Sequence, residues 1–334
     1  MPGFAKGSIA HALQDRFHRG QRPILVGVAG DSGSGKTTYT EGIEWLLGAE
    51  LVSQISLDGY HKEDRATRRQ TGRSPLDPQA NHLAQAAADL AQLREGQAVD
   101  IPCYDHRHGK FLTPRRHQPT PVILIEGLHT LYPEFQPLLD FRVFVDSDVP
   151  VKRDWKFARD TAERGYAQAE AESQIIARAN EFERWLANQQ TAADVIVRIH
   201  PSTLGSLAID GVEGGGNETC YHIEVIVTPN RQEQAALYFP VDLSTMTRHE
   251  ALPFMLAMIP SRFQGNAVNV LHVDGHMPLA ALDTLENELR QLIGQPSTTI
   301  TSTASQALPP TIRFAQMLVA WPFLGHLATP TNVA

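Results

Sequence analysis

Residues 24–38 read ILVGVAGDSGSGKTT. A continuous apolar run, Ile24–Ala29, leads into Gly30-Asp31-Ser32-Gly33-Ser34-Gly35-Lys36-Thr37, which fills every fixed position of the pattern GxxxxGK[ST]. The glycines let the backbone curl so that successive N–H groups point inward, cradling a polyphosphate at a helix N-terminus. In such a loop Lys36 reaches the β- and γ-phosphates, and the Thr37 hydroxyl is placed for Mg²⁺. The competing reading is a glycine-rich turn without a ligand; a buried-type strand before it and a helical segment after it weigh against that. No third glycine completes a dinucleotide fingerprint. No Asn-Lys-x-Asp guanine-reading motif occurs either, so a kinase or an ATPase stands ahead of a GTPase.

Working outward, short β-branched runs alternate with helical patterns through the first two hundred residues. Strands are expected at Ile24–Ala29, Leu51–Leu57, Val122–Glu126, Arg142–Asp146 and Asp194–His200, and helices at Thr37–Leu47, Asn81–Glu95, Val151–Gly165 and Glu170–Ala187. Apolar strands separated by helices are the sequence form of an α/β fold with a parallel sheet covered on both faces. After His200 the pattern changes. A loop with four glycines, Asp210–Asn217, precedes strand-like runs at Tyr221–Thr228, Leu237–Leu243 and Asn269–Val273 and a helix at Pro278–Ile293. Pro296–Pro310 reads as a loop. The expected division is a P-loop core over residues 1–209 and a C-terminal α+β extension over 210–334 packed on it.

Composition narrows the classes. The 334 residues carry 29 Lys+Arg against 37 Asp+Glu, a net charge of −8, with 42% hydrophobic residues, which suits a core-forming chain. An acidic balance argues against a nucleic-acid binder. The N-terminus has no apolar signal region, and the apolar stretches Ala251–Ile259 and Ala315–Leu327 fall short of a bilayer span. Cys103 and Cys220 cannot build a disulfide framework. The expectation is a cytoplasmic protein without nucleic-acid or membrane partners.

A second group of residues suits a phosphate acceptor. Val122–Glu126 is a buried-type strand ending in a carboxylate, where a metal- or water-organising acid would sit. Leu57-Asp58-Gly59-Tyr60-His61 follows the second strand, at the carboxyl end where ligands bind in an open α/β sheet. Asp58 there can take the proton of an attacking hydroxyl, or it can simply cap the next helix; the residues leave both open. Arg65, Arg68, Arg69 and Arg73 form either a solvated face or a site for a phosphorylated substrate. Tyr104-Asp105-His106-Arg107-His108 adds a polar cluster, without a third ligand at zinc spacing. On the helix Val151–Gly165, Lys156, Arg159, Asp160 and Arg164 share an arc of about 140°. That face belongs either to an ordinary surface helix or to a lid whose cations clamp a transferring phosphoryl group.

Taken together, GDSGSGKTT (30–38), SLDGYHKEDR (56–65), SPLDPQANH (74–82), YDH (104–106), VILIEGLHTLY (122–132) and WKFARDTAERGY (155–166) resemble the phosphoribulokinase/uridine kinase family on its phosphoribulokinase side. FQGNAVNVLHVDGH (263–276) resembles the C-terminal part of plant and cyanobacterial members, which uridine kinases lack. The resemblance implies a P-loop NTPase core with a mostly parallel sheet, extended by C-terminal strands. It implies ATP at Ser32, Gly33, Ser34, Gly35, Lys36, Thr37 and Thr38, and Asp58 as the base that deprotonates the C1 hydroxyl of ribulose 5-phosphate. His61, Arg65, Arg68, Tyr104, His106 and Arg164 would hold the sugar phosphate. Thr37, Glu126 and Asp160 would serve Mg²⁺, while Lys156 and Arg159 neutralise the moving phosphoryl group. A homo-oligomer, a dimer, follows by resemblance only.

The sequence departs from that pattern in three ways. Ser34 and Ser56 stand where plant-type members carry cysteines, and the C-terminal cysteine pair is missing, which removes thiol switching and argues against docking of the small regulatory protein. Gly59 stands where relatives often have a second Asp, so acceptor positioning is expected to differ. Two alternatives remain: a kinase for another sugar phosphate or for a nucleoside such as uridine, and a non-catalytic nucleotide-sensing relative. Intact Lys36, Thr37, Asp58, Lys156 and Asp160 argue against the latter.

Overall fold

The computed structural model describes residues 8–159, 179–204, 219–228, 254–277, 279–295 and 308–328, and of residues 157–159 the backbone only. It divides into two units, one of residues 16–40 and 50–193, the other of the described residues among 8–15, 41–49 and 194–328. The first elements in the chain are α1 (Ile9–His18), β1 (Ile24–Gly30), α2 (Lys36–Leu47), β2 (Val52–Ser56) and a 3-10 turn over Leu57–Tyr60. Next come α3 (Arg65–Thr71), α4 (Leu83–Arg94), β3 (Val99–Asp105), β4 (Lys110–His117), β5 (Val122–Gly127), β6 (Phe141–Ser147) and α5 (Val149–Arg159).

In the first unit β2, β5, β1 and β6 lie side by side, and every pair is parallel. All seven residues of β1 are buried, as are Val122–Ile125 of β5, which is why these runs lack polar alternation. The register sets Val28 and Ser56 on either side of Glu126, so the carboxyl ends of three strands finish level. At the opposite end Asp140 accepts from the Leu25 N–H at 3.0 Å and pairs with Arg22 at 3.1 Å and Arg94 at 3.4 Å. The α5 helix starts directly after β6 with Pro150 in its first turn, where a missing N–H is harmless.

Beside this sheet stands a hairpin that the sequence pattern does not announce. β3 and β4 pair antiparallel, with a register shift between Ile101 and Cys103 that falls at Pro102. Proline cannot donate to a ladder, and β4 is exposed along nearly its whole length. Both features hide the strands from a hydrophobicity reading.

The second unit continues with β7 (Val195–Pro201), β8 (Tyr221–Val227), β9 (Phe254–Phe263), β10 (Asn266–Gly275), α6 (Leu279–Ile293) and α7 (Pro310–Ala328). The strands β7, β8, β10 and β9 form an antiparallel array in that order. The run at 254–263, read above only as an apolar stretch, is thus a strand, the last of this array among the described residues. α7 is buried throughout Thr311–Ala320 despite Pro322, and its Arg313 forks onto Glu286 of α6 at 3.0 and 2.6 Å. Among the described residues, no helix is long and apolar enough to cross a membrane. The expected Gly-rich loop 210–217, the strand 237–243 and most of the loop 296–310 lie outside the described residues.

Candidate functional site

The loop after β1 curls as its glycines allow: Gly33 and Gly35 take φ of +83° and +96°, a region closed to most side chains. Lys36 Nζ donates to the Asp31 carbonyl at 2.8 Å across the loop, and the Ser147 hydroxyl donates to the Ser34 carbonyl at 2.9 Å. The Thr37 hydroxyl donates to Glu126 Oε2 at 2.9 Å. Burial pushes the Glu126 pKa up, opposed by the Lys36 charge and the Thr37 hydrogen bond. The strand-end carboxylate and the helix-start hydroxyl therefore form a pair of hard oxygen donors beside an ammonium.

The acceptor side is built on the 3-10 turn 57–60. Ser56 caps it, with the Asp58 N–H reaching its hydroxyl at 3.4 Å. The turn is anchored by the Tyr60 hydroxyl, which donates to the buried Asp89 at 2.8 Å. Asp58 projects between two imidazoles, with His106 Nε2 at 3.0 Å from one carboxylate oxygen and His61 Nε2 at 3.6 Å from the other. Burial acts to raise its pKa. The His106 hydrogen bond and the His61, His106 and Lys36 charges outweigh that and hold the carboxyl well below the usual range.

His61 is oriented by a residue to which sequence reasoning gave no role. Asn81 Nδ2 donates to the carbonyls of Pro75 and Asp77, which leaves its Oδ1 to accept from His61 Nδ1 at 2.6 Å. Burial lowers the His61 pKa, opposed by the Asp58 charge and the Asn81 hydrogen bond, and the ring turns its Nε2 toward Asp58. The segment SPLDPQANH supplied the signal, since it lies among the family-like motifs. Backbone bonds from His82 to Tyr60 and from Lys62 to Ala80 fix the two segments together.

The hairpin completes this side. Tyr104 packs edge-on against His61, His106 and Phe111, and Arg68 donates to its hydroxyl at 2.9 Å. Arg65 is turned to the hairpin backbone: its guanidinium donates to the His106 carbonyl and its N–H to Gly109. Of the other two arginines in the run, Arg73 pairs with Glu63 at 3.0 Å and Arg69 is exposed. Gly59 faces the same hairpin. A Cβ there would lie 1.9 Å from the Pro102 carbonyl oxygen, so the second Asp of relatives has no room in this chain.

The α5 helix does not turn all its cations to solvent. Lys152 and Lys156 are buried. Lys152 Nζ bonds Asp146 at 2.7 Å and lies 4.4 Å from the Phe182 ring centre, with Asp31 at 4.0 Å. An ideal Cβ on Gly33 would stand 3.5 Å from Lys156 Cβ, which puts this helix against the phosphate loop. Lys152, four residues before Lys156, is a second group that the sequence reading missed. The Arg159 side chain, Asp160 and Arg164 lie outside the described residues.

Comparison with known proteins agrees with this architecture. The family model of the Phosphoribulokinase / Uridine kinase family matches residues 25–205. The phosphoribulokinase of Synechocystis sp. is 39% identical over 184 residues, 55% of this chain and 55% of the relative. The chloroplastic phosphoribulokinase of Mesembryanthemum crystallinum is 28% identical over 298 residues, 80% of this chain and 73% of that one. The chain thus aligns with little more than half the length of the first relative. Among solved structures, the phosphoribulokinase from Rhodobacter spheroides superposes with a TM-score of 0.52 at 18% identity, covering 81% of this chain and 98% of that one, a likeness of fold. A phosphate loop, a strand-end carboxylate paired with its threonine and a match across more than half of the sequence lead to one conclusion: the chain belongs to the phosphoribulokinase/uridine kinase family.

Proposed function

We propose that the chain is a cytoplasmic, ATP- and Mg²⁺-dependent kinase that phosphorylates the C1 hydroxyl of ribulose 5-phosphate, giving ribulose 1,5-bisphosphate and ADP. The observation that carries the reading is the ionised Asp58 carboxylate, held between His61 and His106 within the field of Lys36. A hydroxyl entering there can donate to Asp58 while its oxygen attacks the γ-phosphorus. The O–H bond breaks, the new P–O bond forms, the bond to the β-phosphate oxygen breaks, and the proton rests on Asp58 before passing to solvent. His61 presents a second polar group to the sugar, and Tyr104, Arg65, Arg68 and His106 complete its pocket. Arg164 is assigned to the sugar phosphate by family resemblance.

Lys36, Lys156 and Arg159 are assigned to the charge that spreads over the equatorial phosphoryl oxygens. The backbone of Ser32–Thr38 receives the ATP phosphates. Thr37 and Glu126 offer the oxygen donors that Mg²⁺ prefers, with Asp160 as a further candidate. When bound, the ion neutralises the β- and γ-phosphate charge. Assembly as a homodimer belongs to the same reading: among the described residues β9 is an edge strand with Met258 and Ile259 exposed, the kind of edge a second copy covers. Ile259→Lys should then shift the sedimentation coefficient to that of a monomer.

The decisive experiment is ADP release measured across ribulose 5-phosphate, other pentose phosphates and uridine. The expected result is preference for ribulose 5-phosphate, abolished by Lys36→Ala and reduced by several orders of magnitude by Asp58→Asn. Faster release with uridine overturns the acceptor assignment.

A further inference from the structure

The second unit carries a group of side chains for which the proposed reaction has no use. On β8 the residues alternate in burial from Tyr221 to Val225, so His222 and Glu224 point to one face while Tyr221, Ile223 and Val225 fill the other. The ladder sets His200 of β7 directly opposite His222, and His272 of β10 directly opposite Glu224. Three imidazoles and a carboxylate therefore share one face of three adjacent strands. His222 Nε2 lies 3.0 Å from His272 Nδ1, and Glu224 reaches His272 Nδ1 at 3.8 Å and His200 Nε2 at 3.8 Å. One ligand atom each from His222, Glu224 and His272 falls within 4.8 Å of the others, the only such trio among the described residues.

We propose that His222, His272 and Glu224 form a binding site for a divalent transition-metal ion of the Zn²⁺ class, with His200 as the adjacent fourth donor. Two imidazoles and a carboxylate are the donor set that Zn²⁺ takes when one position is left for water or another ligand. Bond lengths of about 2.0–2.1 Å in a tetrahedron put neighbouring ligand atoms about 3.3 Å apart, and the separations of 3.0 and 3.8 Å bracket that value. In the metal-free cluster one imidazole N–H points at the other ring's lone pair. An ion takes both lone pairs once the donor ring moves its proton to its far nitrogen, so no net proton leaves the protein. All four side chains are half-buried, shielded yet reachable from solvent. Mg²⁺ is a poor candidate here because it favours oxygen donors. Four strand-borne groups give the ion a rigid seat, which suits tying β8 to β10 better than chemistry on a substrate.

The test uses the full-length chain stripped with chelator and titrated with Zn²⁺ against a chromophoric competitor, then with Co²⁺ for its visible d–d absorption. The wild type is expected to hold one ion per chain, with the band intensity of a tetrahedral centre. The double variant His222→Gln/His272→Gln should lose more than about 100-fold in Zn²⁺ affinity, beyond what loss of a supporting group alone causes. Glu224→Gln, which removes a single ligand, should weaken binding by at least about tenfold. It keeps the test decisive if the double variant fails to fold. His106→Gln, on the other histidine cluster, should retain the ion. Absence of a stoichiometric ion in the wild type overturns the proposal, as does unchanged affinity in either cluster variant or loss of the ion in His106→Gln.

Discussion

Replacing Gly59 by alanine places a methyl carbon 1.9 Å from the Pro102 carbonyl oxygen, 2.5 Å from its carbon and 3.2 Å from the Cys103 nitrogen. All three neighbours are backbone, so no side chain can swing aside. Relief to about 3.3 Å, the short end of C···O contacts, requires the turn and the hairpin to part by about 1.4 Å. The turn carries Asp58 and the hairpin carries His106, so this parting acts directly on their 3.0 Å contact. Misplacing a reacting group by about 1 Å can cost on the order of 100-fold in rate, and overpacking typically costs about 1–3 kcal/mol, here toward the upper figure. Gly59→Ala is therefore expected to lower kcat for ribulose 5-phosphate about 100-fold and to reduce the denaturant midpoint. Ser56→Ala, which removes only a long cap bond of 3.4 Å, should cost about 0.5 kcal/mol. Coupled ADP release at saturating substrates and urea unfolding read the two effects. A Gly59→Ala protein with wild-type kcat and midpoint would refute the claim that the hairpin fixes Asp58.

Three further outcomes are expected. Burial raises the Glu126 pKa, so its ionisation lowers stability as pH rises from the unfolded carboxylate value to the raised folded one; Glu126→Gln should lose Mg²⁺-dependent turnover yet melt higher than wild type, by a margin wider at pH 8 than at pH 5. Asp58 is depressed despite burial, so its contribution is complete above the unfolded carboxylate pKa and lost only as pH falls through the lower folded value. His106→Ala removes the hydrogen bond that opposes burial, and the acid limb of kcat/KM should move to higher pH. Arg313→Ala strands Glu286, itself only 2% exposed, and should cost about 3–5 kcal/mol in urea unfolding, whereas Arg313→Met with Glu286→Leu should recover most of it.

The parallel core was legible because burial on both faces leaves strands such as Val122–Ile125 apolar without interruption, and because the loop at 30–37 matches a pattern with a physical cause. The geometry of Asp58 was half legible: its place after β2 could be read, but not the imidazoles flanking it, which arrive from His61 and from a hairpin broken by Pro102. On α5 the pattern left an ordinary surface helix and a lid both open, and helical periodicity gives no sign that Lys152 and Lys156 are buried. α7 escaped for a different reason. A helix apolar on nearly every side, with Pro322 inside it, has no amphipathic period to detect. The cluster at His222, Glu224 and His272 bridges fifty residues of sequence and exists only through the β8–β10 register.

The hairpin of β3 and β4 has a consequence for how such an enzyme can change over generations. The groups assigned to phosphate stand on the loop after β1 and on the end of β5, whereas His106, Tyr104 and the Pro102 carbonyl all belong to one exposed hairpin. Insertions or substitutions near its tip at 106–109 alter what surrounds the acceptor hydroxyl and leave the nucleotide cradle untouched. Acceptor preference can therefore shift only together with the setting of Asp58, which His106 touches, while the nucleotide cradle stands on other elements: one two-stranded ribbon, not the buried sheet, is where both can diverge.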